Sequence, residues 1–335
     1  MAPTATTENM RQSLAVKGRA KPAEDGVKYF KIEEEMTPLE VSEPQSRTPV
    51  DDVQFVTAWS CQSNTRTKGI PIFLNPDIER RHILTHMAAT FRFFSRSGFT
   101  EGQSGHISVR DPEFPSLMWM NPLGRHFGML TAGDMICLKI DTGRVVGGNT
   151  SRPANAAGYL IHSAIHKRRP DVHAVCHAHS NAGRAWSVFA RPLEMLNQDV
   201  CNFHNAHAVY ARYGGIVFGP EEGEHIAAAL GSANKGVILM NHGLLTVGST
   251  VDEAGYMFGL LDRACEMQLQ AEAAAANGLT KHIISDEEAA YNFKMASEKN
   301  VLYREAQPDI EFEIEMAGGE AVMAKGFETL RHPRP

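Results

Sequence analysis

The sequence lacks long apolar runs and any strong excess of charge of one sign. No run approaches the roughly 18 uncharged apolar residues of a membrane-spanning helix. The N-terminal stretch MAPTATTENMRQSLAVKGRA has no apolar centre of the kind found in secretory signals. The formal net charge of −6 is opposite to that of proteins that bind nucleic acids or anionic membranes. We therefore expect neither a membrane nor a nucleic acid among the partners.

Paired cysteines are also missing. The 5 cysteines are scattered, and no two form a CxxC motif. This pattern argues against a disulfide framework or a cysteine-rich zinc module, and it favours the reducing cytoplasm. Hydrophobic residues make up 43% and charged residues 21% of the chain, which is typical of a soluble globular protein and excludes collagen-like or wholly disordered chains.

The chain divides into three segments by composition. Residues 1–70 are rich in proline with mixed charges and no apolar period, so we predict a flexible N-terminal arm. From Pro76 onward, patterns of helices and short strands alternate, and they predict one α/β domain over residues 71–285. Residues 286–335 are predicted to be a C-terminal extension, irregular after about residue 300.

Within the domain, several elements have clear signals. Helices are predicted in PDIERRHILTHMAATFRFFSRSG, NAAGYLIHSAIHKRR and PEEGEHIAAALG, and strands in DVHAVCHAHS, GIVFG and KGVILMNHG. Thr250 and Glu253 fit a capping box for a long helix that Gly278 would end. Cys176, which alternates with the histidines of its strand, should point into the core.

Histidines are the most informative residues. His177 and His179 are two positions apart on a predicted strand, so their side chains point to one face. His242 lies at the end of another apolar strand. Three neutral imidazoles with an open position suit zinc or another first-row divalent metal. Because the chain has 15 histidines, partly exposed strand histidines would give the same HxH pattern by chance.

Several motifs together resemble the class II aldolase/adducin family over about residues 75–280. They are EGQSGHISVR, LTAGDMICLKIDTGRVVGG, GYLIHSAIHKRRPD, RPDVHAVCHAHS and VILMNHGLLTVGSTVDEA. The resemblance implies an α/β/α sandwich with a mainly antiparallel central sheet, and a homotetramer with sites at subunit boundaries. It also implies one divalent metal per subunit, Zn²⁺ first and Fe²⁺ as the alternative, bound by His177, His179 and His242.

Departures from the family pattern narrow the chemistry. Aldolases of the family carry an acid/base glutamate on the helix before the HxH strand, and the matching position here is Gly158. The family's phosphate-binding PSSE stretch reads SRPANAAG, and its early GN pair reads Gly105-His106. These changes disfavour a phosphorylated substrate and an aldol cleavage that uses that glutamate.

The segments GHISVRDP, WMNPLGRHF and NQDVCNFHNAHAVY resemble a branch of the family that includes a non-heme iron oxygenase of aminocoumarin antibiotic biosynthesis. These segments hold the other candidate site residues, although ordinary loop residues would give the same pattern. The candidate catalytic residues are His106, His204 and His207. The candidate substrate-binding residues are Gly105, Asn121, Gly124 and Gln198.

Three further side chains have alternatives. His162 and His166 are one helical turn apart, and we expect His162 to pack near the site and His166 to face solvent. Arg110 fits either a structural ion pair or an anion clamp.

Three functions compete at this point. The leading one is a metal-dependent lyase that cleaves a C–C bond of a small hydroxy-carbonyl or oxo-acid substrate by Lewis-acid catalysis. The second is an Fe(II) oxygenase on an aromatic oxo or hydroxy acid, since iron and zinc both accept three histidines. The third is an adducin-like scaffold without catalysis, which would need no metal.

Overall fold

The computed structural model describes residues 69–215 and 219–334. The predicted N-terminal arm therefore lies almost wholly outside the described residues. Most of the predicted GIVFG strand also lies outside them. Both stay predictions. None of the described helices is long and apolar enough to cross a membrane.

The centre of the structure is a sheet of eight short strands in the order β4-β3-β2-β1-β5-β8-β7-β6. Neighbouring strands are antiparallel except for the parallel pair of β6 and β7. This confirms the mainly antiparallel sheet. The strands are β1 (His106–Arg110), β2 (Leu117–Met120), β3 (Ile136–Lys139), β4 (Val145–Gly148), β5 (Ala174–Ala178), β6 (His207–Tyr210), β7 (Gly236–Leu239) and β8 (Gly243–Gly248).

Eight α-helices accompany the sheet in the described residues, and those with clear sequence signals start where expected. The Thr250 side chain accepts the N–H of Glu253 at the start of the long helix. The Glu253 carboxylate bonds the N–H of Ser249, one residue before the predicted partner. The helices are α1 (Pro76–Arg96), α2 (Ala156–Arg168), α3 (Asn181–Ser187), α4 (Pro220–Leu230), α5 (Val251–Ala276), α6 (Asp286–Ala296), α7 (Lys299–Met316) and α8 (Glu320–Met323).

Helices cover both faces of the sheet, which confirms the predicted α/β/α sandwich. Helices α1 and α5 pack on one face in an apolar cluster that includes Phe91, Phe258 and, as expected, Cys176. Helices α2 and α4 cover the other face through Ile165 and Ile226. Adjacent residues of β5 belong to opposite clusters, because successive strand side chains point to opposite faces.

The C-terminal segment is helical, so the prediction of irregular chain after residue 300 is wrong. Its helices add Ala289, Leu302 and Ile310 to the cluster under α1 and α5. The periodicity of α7 is hard to see in sequence because charged residues interrupt it and Pro308 lies inside the helix. The chain end then pairs with β4, where the Gly148 N–H donates to the Arg331 carbonyl at 2.8 Å.

Candidate metal centre

Two strands and a tight turn bring three histidines together. His177 lies on β5, His179 lies just beyond its end, and His242 lies in the turn between β7 and β8. The turn is possible because Asn241 adopts a left-handed conformation, with φ of 57°. β5 pairs with β8, so the turn reaches the end of β5. One ligating nitrogen from each histidine lies within 4.8 Å of the other two.

Hydrogen bonding fixes the tautomer of His177. Its Nδ1 lies 2.8 Å from the carbonyl oxygen of Leu244. A carbonyl oxygen only accepts, so Nδ1 carries the proton and Nε2 keeps its lone pair. Metal-ligating histidines commonly have their other ring nitrogen held in this way.

Burial keeps all three imidazoles neutral. It lowers the pKa of His177 and His242, and it lowers the pKa of His179 to about 4 with a smaller contribution from neighbouring His242. Neutral imidazole is the form that binds a metal. The donor set, three converging neutral nitrogens, therefore fits zinc and ferrous iron equally well.

His106 lies against this group of histidines. It is the ladder partner of His177 between β1 and β5, and the two ring centroids are 4.9 Å apart. The side chain is 4% exposed, and burial, reinforced by the neighbouring His162, lowers its pKa well below the usual range. The structure thus brings one of the three candidate catalytic histidines to the candidate metal ligands, in neutral form.

Gly158 on α2 faces the same ring. A Cβ added to Gly158 would lie only 2.5 Å from Cδ2 of His106. The imidazole therefore occupies the space that any side chain at position 158 would need. The sequence departs from the family pattern in two places here, with a histidine after Gly105 and a glycine in place of the glutamate. Both departures concern the same space, which the imidazole fills instead of a side chain at position 158.

Gly105 and Asn121 support the segment that carries His106. Gly105 has φ of +92°, and a Cβ there would approach Phe127 at 3.0 Å and the carbonyl oxygen of His177 at 3.2 Å. Only glycine suits this conformation and close approach. The buried Asn121 accepts the backbone N–H of Ile107 at 3.3 Å. Both residues lie beside the site, where their contacts with the backbone hold the start of β1.

Two other candidates lie at the surface. Gly124 occupies an exposed turn with φ of +76°, near the side chains of Gln103 and Arg152. Gln198 is exposed, and its backbone carbonyl accepts a hydrogen bond from Asn292 at 2.6 Å. Their substrate-binding roles stay predictions.

His204 and His207 lie elsewhere in the chain. His207 starts β6, which is three strand spacings, about 14 Å, from β5. Its Nδ1 donates to the Phe203 carbonyl at 2.9 Å, and its Nε2 accepts the Leu193 N–H at 3.0 Å. His204 precedes the same strand and contacts its neighbour Asn205. Within one chain these contacts favour a structural role for His207, and neither histidine is brought to the candidate metal ligands.

His166 corrects an expectation. It was predicted to face solvent, yet it is 1% exposed, because α2 packs across β1 and both histidines of its i, i+4 pair point inward. Its Nε2 lies 2.8 Å from the Oγ of Ser108. Arg110, whose role was left open, donates to the carbonyls of Pro115 and His166, and no carboxylate of residues 69–215 and 219–334 forms a salt bridge with it.

Sequence reasoning also missed Glu101. Its carboxylate lies 3.0 Å from Arg184, and both charges are close enough to His179 to influence the pKa of that imidazole. The sequence offered one signal for Glu101, because it lies in the same motif, EGQSGH, as His106.

Comparison with known proteins is consistent with this arrangement. Residues 85–269 match the model of the class II aldolase and adducin N-terminal domain. The chain belongs to the class II aldolase and adducin family. All four histidines at the centre, His106, His177, His179 and His242, fall within the matched residues.

Similar proteins in the family have different names. The meiotically up-regulated gene 14 protein of Schizosaccharomyces pombe is 38% identical over 76% of this chain and 98% of its own length. A Streptomyces roseochromogenus protein named 4-hydroxy-3-prenylphenylpyruvate oxygenase/4-hydroxy-3-prenylbenzoate synthase is 42% identical over 61% of this chain and 73% of its own. The solved L-fuculose 1-phosphate aldolase of Glaciozyma antarctica is 37% identical, with a TM-score of 0.68 over 74% of this chain and 95% of that one.

Proposed function

We propose that this family member is a metal-dependent enzyme that cleaves a C–C bond of a small hydroxy-carbonyl or 2-oxo acid. His177, His179 and His242 would hold one divalent metal. The observation that carries the proposal is the convergence of their neutral ring nitrogens within 4.8 Å. When bound, a divalent metal supplies Lewis-acid polarisation of substrate oxygens.

His106 is the proposed acid/base. It fills the space beside Gly158, where the family's glutamate would otherwise stand, and its ring lies against that of His177. A buried neutral imidazole can accept a proton from a substrate hydroxyl and return it to carbon, which is an acid/base role of the kind that the family resemblance gives to the glutamate. The reaction class is therefore kept while the proton-transfer group is exchanged.

The substrate is proposed to be unphosphorylated. The stretch that replaces the phosphate-binding PSSE contributes Arg152, which is exposed, and Asn155, whose side chain caps α2 by accepting the N–H of Gly158. The Streptomyces relative is named for a phenylpyruvate-type oxo acid, and this favours oxo acids as the substrate class.

An iron(II) oxygenase acting on an aromatic oxo or hydroxy acid is the second candidate. The specific observation that favours it is the name of the same relative, at 42% identity. The donor set itself does not separate zinc from iron.

Metal content is the first measurement. We expect about one metal per chain when the protein is purified without oxygen and without added metal, and His177→Ala should lose it while keeping the far-ultraviolet circular dichroism of the fold. Zinc with oxygen-independent turnover of hydroxyketones or oxo acids would support the lyase, and iron with oxygen consumption would support the oxygenase. No metal after reconstitution would overturn both and leave the scaffold.

The acid/base assignment has its own test. His106→Gln should keep the metal and lose turnover by about 100-fold or more, in line with the usual contribution of a general acid/base. His225→Gln is the comparison, because it removes an exposed imidazole on α4 that is not among the candidate site residues.

Native mass spectrometry would test the homotetramer that the family resemblance implies.

A further inference from the structure

A buried chain of hydrogen bonds leads away from His106, and we call its members the imidazole chain. His106 Nδ1 lies 2.9 Å from His162 Nε2. His162 Nδ1 lies 2.7 Å from the Oγ of Ser108, and that oxygen lies 2.8 Å from His166 Nε2. All four side chains are at most 4% exposed. The chain alternates between β1 and α2, so it ties the strand to the helix above it.

The hydrogen-bonding capacity of each member links the tautomers along this chain. A neutral imidazole donates through one nitrogen and accepts through the other, and a hydroxyl has one proton to donate and two lone pairs that accept. If His166 accepts at Nε2, it takes the only hydroxyl proton of Ser108, and the tautomers of His162 and His106 are then determined in turn.

The far end favours one direction. His166 Nδ1 lies 3.3 Å from the carbonyl oxygen of Val172, which only accepts. The Nη2 of Arg110 lies 3.4 Å from the same nitrogen, but its short hydrogen bond is to the His166 carbonyl at 2.8 Å, and it also lies 3.4 Å from the Val172 carbonyl. The partner nearest to Nδ1 of His166 is therefore an acceptor, which favours donation from Nδ1 and acceptance at Nε2.

The remaining donors follow in order. Ser108 donates its hydroxyl proton to Nε2 of His166. Because that proton is then used, Ser108 accepts from Nδ1 of His162. His106 then donates from Nδ1 to His162, which leaves a lone pair on Nε2 of His106.

We propose that Ser108, His162 and His166 are positioning residues that hold His106 as its Nδ1–H tautomer, with Nε2 free to accept a proton. The inference rests on the proposed function only in giving His106 the part of acid/base. It goes beyond that function by assigning a task to three buried polar residues that are neither candidate metal ligands nor, on this view, substrate-binding residues. The direction of the chain makes His106 a base at the start of the reaction.

The chain sets a tautomer and does not carry protons away. A proton passed to its far end would leave an imidazolium at His166, facing the guanidinium of Arg110 and the imidazole of His173. Burial and the charge of Arg110 lower the pKa of His166 to about 3, which opposes that state. A proton taken up at Nε2 of His106 therefore stays near the reacting atoms, where it can be returned.

Neutron diffraction from deuterated crystals tests the proposal, because it locates the hydrogens directly. The wild type should show deuterium on Nδ1 of His106, His162 and His166. In Ser108→Ala, His166 should keep that tautomer, since Val172 holds it, while His106 gains deuterium on Nε2 in at least part of the molecules. Ser108→Thr keeps the hydroxyl and should restore the wild-type pattern.

The matched control is Ser163→Ala. It removes a buried hydroxyl next to His162 whose partners in the described part of the chain, the Leu160 carbonyl and the Tyr159 side chain, lie in the same helix. It should leave the tautomer of His106 unchanged. Deuterium on Nε2 of His106 in the wild type, or an unchanged His106 in Ser108→Ala, would overturn the proposal.

Kinetics separate this inference from the proposed function. Ser108→Ala should lower kcat by about 10-fold to 100-fold, with KM and metal content unchanged, whereas Ser163→Ala should have wild-type kcat. The diffraction experiment needs neither metal nor substrate. If the deuterium positions are as expected but His106→Gln keeps full turnover, the proposed acid/base role of His106 is wrong. The tautomers assigned to the imidazole chain would still stand.

Discussion

Strands β1 and β5 have two faces that are buried in different ways. Toward α1 and α5 they present Ile107, Val109 and Cys176, which pack in an apolar cluster. Toward α2 they present His106, Ser108 and His177, which are equally buried but hydrogen-bonded, together with the apolar Val175. The same strands thus support one face by excluding water from apolar surface, and on the other face they also match donors with acceptors.

The two faces should respond differently to mutation. An apolar contact loses energy in proportion to the volume removed, so similar hydrophobic residues replace one another at small cost. A buried hydrogen-bond chain has no such tolerance, because removal of one member leaves its neighbours without partners. We therefore expect large-to-small substitutions on the apolar face to cost most in stability, and substitutions on the polar face to disturb the arrangement of the hydrogen bonds.

The largest effect is expected on the apolar face. Phe258 is fully buried, with its ring centroid 4.7 Å from that of Phe94. Phe258→Ala should lower the free energy of unfolding by about 3–5 kcal/mol, measured by chemical denaturation. Met316→Ala, at a residue that is 69% exposed, is the control and should change it little. A loss below about 1 kcal/mol for Phe258→Ala would refute the division of labour between the faces.

The second largest effect is expected when a side chain is added to the polar face. Gly158→Glu places its Cβ where the His106 ring lies, and we expect a loss of about 1–3 kcal/mol. His106→Asn should relieve that clash, so the double variant should be more stable than the sum of the single effects predicts, by about 0.5–3 kcal/mol. A double-mutant cycle from denaturant melts measures this coupling. Strict additivity would show that the two positions do not share space.

The pH dependence should also differ between the faces. His166 has a pKa of about 3 in the folded state against an ordinary value of 6.5. Because the pKa of His166 is lowered in the folded state, the unfolded chain takes up this proton more readily. The contribution of His166 to the free energy of unfolding is therefore fully present above about pH 6.5 and is lost as pH falls toward 3, by about 1.4 kcal/mol per pH unit. His166→Gln should flatten the measured slope, and Phe258→Ala should leave the slope as it is in the wild type.

The smallest effect is expected from the N-terminal arm. Removal of residues 1–60 should change the melting temperature little, because the described strands and helices bury their apolar faces against one another. Differential scanning calorimetry of the truncated and full chains, with native mass spectrometry of both, checks this. A large drop in melting temperature or a change of assembly would show instead that the arm joins subunits.

Local sequence patterns predicted one α/β domain and placed His177 and His179 on one strand face, whereas the layered sandwich and the convergence of His242 with that pair were implied by the resemblance to the family. Alternation placed His177 opposite Cys176, and the apolar strand before His242 gave the turn. These features depend on two-residue periods and short loops, which local sequence carries. Helix α7 was missed because charged residues and Pro308 interrupt its apolar stripe, and its burial depends on contacts with α1 and α5.

The imidazole chain could not be predicted in the same way. His162 and His166 share a helix stripe, which the i, i+4 spacing shows, but whether that stripe faces solvent depends on how α2 packs on the sheet. Ser108 gave no signal of its own beyond sharing a strand face with His106. For His204 and His207, nearness in a motif suggested the same site, but within one chain the sheet order separates β6 from β5. Their catalytic role stays a prediction.

The shared space between His106 and Gly158 also constrains how such a site can arise. A lineage that begins with a side chain at position 158 has no room for the imidazole, so the histidine cannot come first without a clash. Loss of the side chain opens the space, and the histidine then fills it. The glycine is therefore the permissive step, and reversion would have to run in the other order, with the histidine given up before an acidic residue could return.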